Sequence, residues 1–153
     1  MMKVGAIGNR FMRDDGIAIK ILECIKGNFK DYDLDIIIGE TDSQGFFYLL
    51  NEGDFVILLD AQSIGTEPGE IHVYRLEEAL AQPSECSMHH DLSIIELMKL
   101  YHKTFKGYII GIEVAEIDLS DELSPFLQEK FSFLCSEIEN LIKNMILEEL
   151  NHA

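Results

Sequence analysis

Residues 3–7, K-V-G-A-I, form a short, largely apolar run that predicts a strand. It ends at Gly8-Asn9. Over residues 15–26 the apolar side chains Ile17, Ile21, Leu22 and Ile25 recur at helical spacing, and Gly27 suits a stop. Residues 34–38 predict a second strand, followed by Gly39. Residues 43–51 predict a short helix that breaks at Glu52-Gly53. The run F-V-I-L-L over residues 55–59 is wholly apolar and ends in Asp60, as befits a strand buried on both faces.

T-E-P-G over residues 66–69 signals a turn, and residues 70–75 predict a strand alternating through Ile71 and Val73. The short connection predicts that this strand runs antiparallel to its predecessor. Residues 91–101 predict a helix on Leu92, Ile95, Leu97 and Met98, and residues 106–112 a further strand. The last helix is the most strongly patterned. Ser124 is placed as N-cap and Pro125 at the first helical position. Leu127, Phe131, Leu134, Ile138, Leu141 and Met145 then make one apolar stripe. That stripe is expected to dock on the sheet rather than join a coiled coil.

Alternating strands and helices without repeats or linkers predict one α/β domain over residues 1–153. The expected architecture is a three-layer sandwich with helices on both faces of a mostly parallel five-stranded sheet with one antiparallel strand. In such sheets ligands bind outside the carboxyl ends of the strands, so the residues just after each strand matter most.

Composition narrows the function. Apolar residues make up 47% of the 153, enough for one core. No apolar run reaches the roughly 20 residues of a membrane span. The N-terminus shows no secretory pattern, which places the protein in the cytoplasm. The formal net charge is −16, from 28 acids against 12 Lys and Arg. That balance argues against nucleic acid and anionic lipid as partners. It favours a neutral, basic or metal-bearing partner, or serves solubility alone. Cys24, Cys86 and Cys135 show no C-x-x-C spacing, which excludes a disulfide framework or structural zinc site. Cys24 and Cys135 fall in helical patterns and read as buried thiols. Cys86 stands near two histidines, and its role stays open.

The chemistry collects at the predicted strand ends. Asn9, Asp14 and Asp15 follow the first strand, Asp60 follows the apolar third, and M-H-H-D at residues 88–91 precedes a helix. Two carboxylates and an imidazole from three segments suit a borderline dication such as nickel or zinc, with coordination positions left open. Each residue also has a structural explanation. Asp14 or Asp15 can cap the helix, Asp60 can belong to a buried network, and one histidine can simply face solvent. His72, His102 and His152 carry no assigned role. Other chemistries fail on the residues. G-A-I-G-N-R lacks the third glycine of a dinucleotide loop, and the acids after it repel a pyrophosphate. There is no P-loop, no G-x-S-x-G and no H-E-x-x-H.

G-N-x-x-x-x-D-D-G at residues 8–16, L-L-D-A at 58–61, H-D-L at 90–92 and G-I-E at 111–113 occur in that order. Together they resemble the hydrogenase maturation endopeptidases, from Val4 to the terminal helix. The resemblance implies an aspartyl-type protease that trims the C-terminal extension of a nickel-loaded hydrogenase large-subunit precursor. Nickel would arrive bound to the substrate. It also implies that Asp15, Asp60 and His90 contact that nickel, with His89 as the competitor for His90. Asp15 or Asp60 would act as general base, and Asp14 would cap the helix or brace the loop. T-D-S-Q-G at residues 41–45 resembles the family's loop after the second strand. The substrate-binding groove is not assigned. Two positions depart from the family pattern, Ala6 and Ala18, each a small residue for a glycine. Two rival functions fit the same scaffold: a metal-dependent small-molecule hydrolase, and a non-catalytic nickel chaperone or docking module.

Overall fold

The structure, a computed structural model, describes residues 1–81 and 91–152. Five strands form one sheet: β1 (Met2–Ile7), β2 (Leu34–Glu40), β3 (Phe55–Gln62), β4 (Ile71–Arg75) and β5 (Lys106–Glu113). Their order is β2-β1-β3-β5-β4. All neighbouring pairs are parallel except β4 with β5. Among the described residues five α-helices accompany the sheet: α1 (Ile17–Ile25), α2 (Ser43–Tyr48), α3 (Leu76–Ala81), α4 (Asp91–Tyr101) and α5 (Pro125–Asn151).

The sheet has an apolar layer on each face. On one side Val4, Ala6, Ile57, Leu59, Ala61, Ile110 and Ile112 pack against α1 and α5. On the other Ile7, Val56, Leu58 and Ile109 meet α2, α3 and α4 through Phe46, Leu76, Ile94 and Met98. This is the expected three-layer sandwich. All eight residues of β3 are buried, because the strand lies at the centre of the sheet with helices on both faces. The stripe on α5 docks on the sheet beside α1, with Leu127, Leu134, Ile138 and Met145 buried and Phe131 and Leu141 partly so. Ser124 caps α5, its Oγ accepting from the Leu127 N–H at 3.5 Å.

Four details differ from the sequence expectation. The strand after the T-E-P-G turn runs antiparallel to β3 but does not pair with it. It lies beyond β5, because the β3–β4 connection crosses the end of β5: Gly69 N–H donates to Glu113 O at 2.8 Å and Glu113 N–H to Glu70 O at 2.9 Å. Helix α3 was not anticipated, since it begins directly after β4 with no turn residue between them. Helix α1 does not stop at a left-handed Gly27. It tightens into a 3-10 turn, Lys26–Phe29, which buries Phe29. Cys24 is exposed rather than buried, on the outer side of α1, whereas Cys135 on α5 is buried.

Candidate active site

The loop after β1 is built around close backbone approaches. Gly8 has φ +150°, and a Cβ there would lie 2.3 Å from the Asp15 carbonyl oxygen. At Gly16 a Cβ would lie 2.7 Å from the Cα of Arg10. These two glycines let the loop fold back on the 3-10 turn Arg13–Gly16 that leads into α1. The loop is closed by Met12 N–H donating to Asn9 O and Asp15 N–H to Met12 O, both at 3.1 Å. Asn9 Oδ1 accepts from Phe11 N–H at 3.0 Å.

The adjacent acids do different jobs. Asp14 is fully buried and its carboxylate is consumed structurally. Oδ2 accepts from Ala115 N–H at 2.9 Å, Glu116 N–H at 2.8 Å and Ser124 Oγ at 2.8 Å, while Oδ1 accepts from Ser124 N–H at 2.7 Å. Asp14 thus ties the first βα loop to the chain entering α5, the bracing role expected of it. Asp15 is 4% exposed, and Asn9 N–H orients its carboxylate, donating to Oδ2 at 3.0 Å.

Two arginines stand close to this loop, and each is occupied elsewhere. Arg10 forks onto Glu23, with both contacts at 3.2 Å, and its Nε reaches Glu40 at 2.6 Å. The hydrogen bonds to Glu23, and then to Glu40, raise its pKa further. Arg13 pairs with Asp118. Arg10 therefore clamps α1 to β2 and is not a phosphate-binding group.

Asp60 stands near the end of β3, fully buried, opposite Gly111 of β5 in register. The pairing of Ala6 with Leu59 puts Asp60 alongside the end of β1, and the turn carrying Asp15 packs against β3. Both predicted carboxylates therefore sit at the carboxyl ends of the two central adjacent strands. Strand alternation places Asp60 on the same face as Leu58, which packs against α4. His90 immediately precedes α4 in sequence, but it and His89 lie outside the described residues, as does Cys86. Among the described residues no three His, Cys, Asp or Glu side chains are grouped to hold a metal.

Two polar side chains near the carboxyl ends of β3 and β5, Gln62 and Glu113, were given no role from sequence. Gln62 is fully buried, and its Oε1 accepts from the Tyr74 hydroxyl at 3.2 Å. Glu113, 3% exposed, accepts from Ile64 N–H and Gly65 N–H, both at 3.2 Å, and from Thr66 Oγ1 at 3.1 Å. It pins the β3–β4 loop over the sheet edge. Thr66 Oγ1 also lies 3.2 Å from His72 Nε2. The available signal was strand alternation: Gln62 lies two residues beyond Asp60, and Glu113 ends G-I-E. A cavity of about 320 Å³ lies beside the Asp15 loop, lined by Gly8, Asn9, Arg10, Phe11, Glu40 and Thr41.

A family model described as hydrogenase maturation protease, HycI, matches residues 19–141. The chain belongs to the hydrogenase maturation protease family. It is accordingly an endopeptidase. The matched span contains Asp60 and His90, and Asp15 lies just before it.

Solved structures of maturation proteases share the fold. HybD, a NiFe hydrogenase maturation protease from Thermococcus kodakarensis, is 24% identical, with 92% of this chain and 97% of that chain covered and a TM-score of 0.72. The hydrogenase maturating endopeptidase HybD from E. coli is 19% identical, with 94% and 92% covered and a TM-score of 0.77. A NiFe hydrogenase maturation protease, HycI, from Thermococcus kodakarensis KOD1 is 22% identical, with 93% and 92% covered and a TM-score of 0.68. At these identities the likeness speaks for the fold. No curated protein sequence matches the chain. Among the described residues, no helix is long and apolar enough to cross a membrane.

Proposed function

We propose that this maturation protease, acting as one domain, removes the C-terminal extension of a hydrogenase large-subunit precursor that already carries nickel. Asp15, Asp60 and His90 contact that nickel, which belongs to the substrate. The observation that carries the reading is the division of labour at the two central strand ends. Asp14 is used up in bracing, while the Asp15 carboxylate, which accepts from the Asn9 N–H, lies in the turn that packs against β3, the strand of the buried Asp60.

Two buried carboxylates favour a precursor with a dication over one without it. A pair of unit charges 4 Å apart attracts by about 1 kcal/mol in water and about 4 kcal/mol at an effective dielectric constant near 20. Nickel in this position orients the peptide, and Asp15 or Asp60 takes the proton from the attacking water. The peptide beside the scissile bond enters along the cavity between Asn9–Phe11 and Glu40–Thr41. The setting is cytoplasmic, in keeping with Cys24 and Cys135 as free thiols.

Incubation of the purified enzyme with nickel-loaded and nickel-free precursor, followed by intact-mass measurement, tests this. The expected result is loss of a C-terminal fragment from the loaded precursor alone. Equal cleavage of both forms contradicts nickel recognition.

A further inference from the structure

We infer that Phe11 and Leu119 form an apolar docking surface at the rim of the site, and that its occupant is a segment of the hydrogenase precursor with apolar side chains flanked by lysine or arginine. The inference rests on the place of Asp15 in the site proposed above and adds how the precursor is held there.

Two loops run side by side at this rim. Met12 and Ser120 form a parallel bridge. Ser120 N–H donates to Phe11 O at 3.0 Å, and Arg13 N–H donates to Ser120 O at 2.9 Å. Phe11 N–H is taken by Asn9 Oδ1. Arg13 pairs with Asp118, and the Asp14 carboxylate accepts from the N–H groups of Ala115 and Glu116. The main chain is therefore held on both sides of the bridge. The bridged residues are half-buried, while Phe11 and Leu119, one position earlier in each loop, are 60% and 84% exposed. Alternation along a parallel pair brings these two positions side by side on the outer face. Ile117, two residues before Leu119, is exposed as well.

These loops spend their polar groups on one another and turn apolar side chains to solvent. A lone exposed Leu needs no explanation, but apolar side chains gathered inside a polar rim mark an interaction surface. An aromatic side chain on a main chain already fixed loses little freedom on binding and is of the type that dominates interface energetics.

Position and charge identify the occupant. Phe11 also lines the cavity beside the Asp15 loop, so a peptide that reaches Asp15 through this cavity passes it. The same rim carries Glu116, Asp118, Asp121 and Glu122, all exposed. Of the cations close by, Arg13 is engaged with Asp118 and Lys20 with the Asp121 carbonyl. An apolar centre inside an acidic rim fits an apolar segment with Lys or Arg on its flanks. A second copy of this chain would set the same acids against one another, with a net charge of −16 on each.

The test measures kcat and KM for nickel-loaded precursor by intact mass, with circular dichroism melts of each variant. Phe11→Ala and Leu119→Ala are each expected to raise KM by about 10-fold with kcat near the wild-type value, the mark of lost uniform binding. Phe11→Leu is expected to restore most of the wild-type KM, and Leu150→Ala, an exposed leucine at the far end of α5, to leave it unchanged. Wild-type KM should rise as salt goes from about 0.05 M to about 0.5 M. Wild-type KM in both Phe11→Ala and Leu119→Ala overturns the inference, and so does an equal rise in Leu150→Ala. A wild-type KM indifferent to salt overturns the basic character of the occupant. A wild-type dimer in sedimentation velocity that Leu119→Ala dissociates overturns the precursor as occupant in favour of a second copy. Should Phe11→Ala not fold, Leu119→Ala decides alone. Asp15→Ala separates the two levels. Trimming at the wild-type rate by that variant removes Asp15 from the site. Loss of trimming there, with wild-type KM in the two rim variants, overturns the docking surface alone.

Discussion

Asp14 and Ser124, 110 residues apart, are joined twice. The Ser124 N–H donates to one carboxylate oxygen of Asp14 at 2.7 Å and the Ser124 hydroxyl to the other at 2.8 Å. The same hydroxyl oxygen caps α5. One buried acid thus links the first βα loop to the longest helix described.

Removal of that acid should unfold rather than merely inactivate. Asp14→Ala strands two Ser124 donors and the N–H groups of Ala115 and Glu116. The expected loss is about 3–5 kcal/mol, since each buried donor left without a partner costs about 1–3 kcal/mol and neighbouring losses do not add fully. Urea denaturation followed by circular dichroism measures it, and a loss below about 1 kcal/mol would contradict the bracing role.

Gly8 should be intolerant of any side chain. Gly8→Ala places a Cβ at φ +150° and 2.3 Å from the Asp15 carbonyl oxygen. The loop must shift, and Asn9 N–H can no longer aim the Asp15 carboxylate. Cleavage is expected to fall by about 100-fold, the scale set by a displacement of about 1 Å in a positioned group. A variant with unchanged kcat/KM would show that the tight turn is dispensable.

A buried ion pair away from the site sets one limb of the pH–stability curve. Lys3 Nζ lies 2.7 Å from Asp54 Oδ2, and Asn51 N–H donates to the same carboxylate at 2.7 Å. Burial pushes the Asp54 pKa up. The Lys3 hydrogen bond, the Asn51 N–H and the positive charges of Lys3 and the N-terminus outweigh it, so the net shift is downward. A carboxyl with a lowered folded pKa adds stability above its unfolded value, about 3.9, and that stability is lost as pH falls through the folded value. Denaturation midpoints should therefore decline below about pH 4 in the wild type. In Lys3→Met this decline should disappear, with a loss of about 3–5 kcal/mol at neutral pH from the uncompensated charge that is partly regained as acid protonates Asp54. An unaltered acid limb in Lys3→Met would count against the pair.

The two described thiols should differ sharply in reactivity. Burial, and then the neighbouring Cys24 thiol, push the Cys135 pKa up to about 12. Cys135 is therefore protonated at neutral pH, and the thiolate is the reactive form. Peptide mapping after iodoacetamide at pH 8 should find Cys24 alkylated and Cys135 intact until denaturant is added. Modification of Cys135 in the folded protein would contradict its burial.

Most of the fold could be read from the chain because its periodicities are strong. The run over residues 55–59 is apolar at every position, and only a strand covered on both faces needs that. The stripe runs from Leu127 to Met145 along the 27-residue α5. What escaped depends on contacts distant in sequence. Asp14 was expected to cap the helix or brace the loop, but not which groups it would hold: its N–H donors lie 101 to 110 residues away. The place of β4 beyond β5 is decided by the loop bonds to Glu113. Gln62 has no role in the sequence reading. Only the space left by Gly111 and the hydroxyl of Tyr74 reveal where its amide goes. At the candidate site, position after a strand pointed to Asn9, Asp14, Asp15 and Asp60, because open sheets gather ligands at carboxyl ends. The family motif added the choice between neighbouring acids and between the two histidines.

The most direct test of the central claim is intact-mass measurement of nickel-loaded precursor after incubation with Asp15→Ala, Asp60→Ala and His90→Ala, each first shown to be folded by circular dichroism. Each variant is expected to leave the precursor at full length under conditions in which the wild type trims all of it. Trimming at the wild-type rate by the folded variants would show that these three side chains do not hold the nickel.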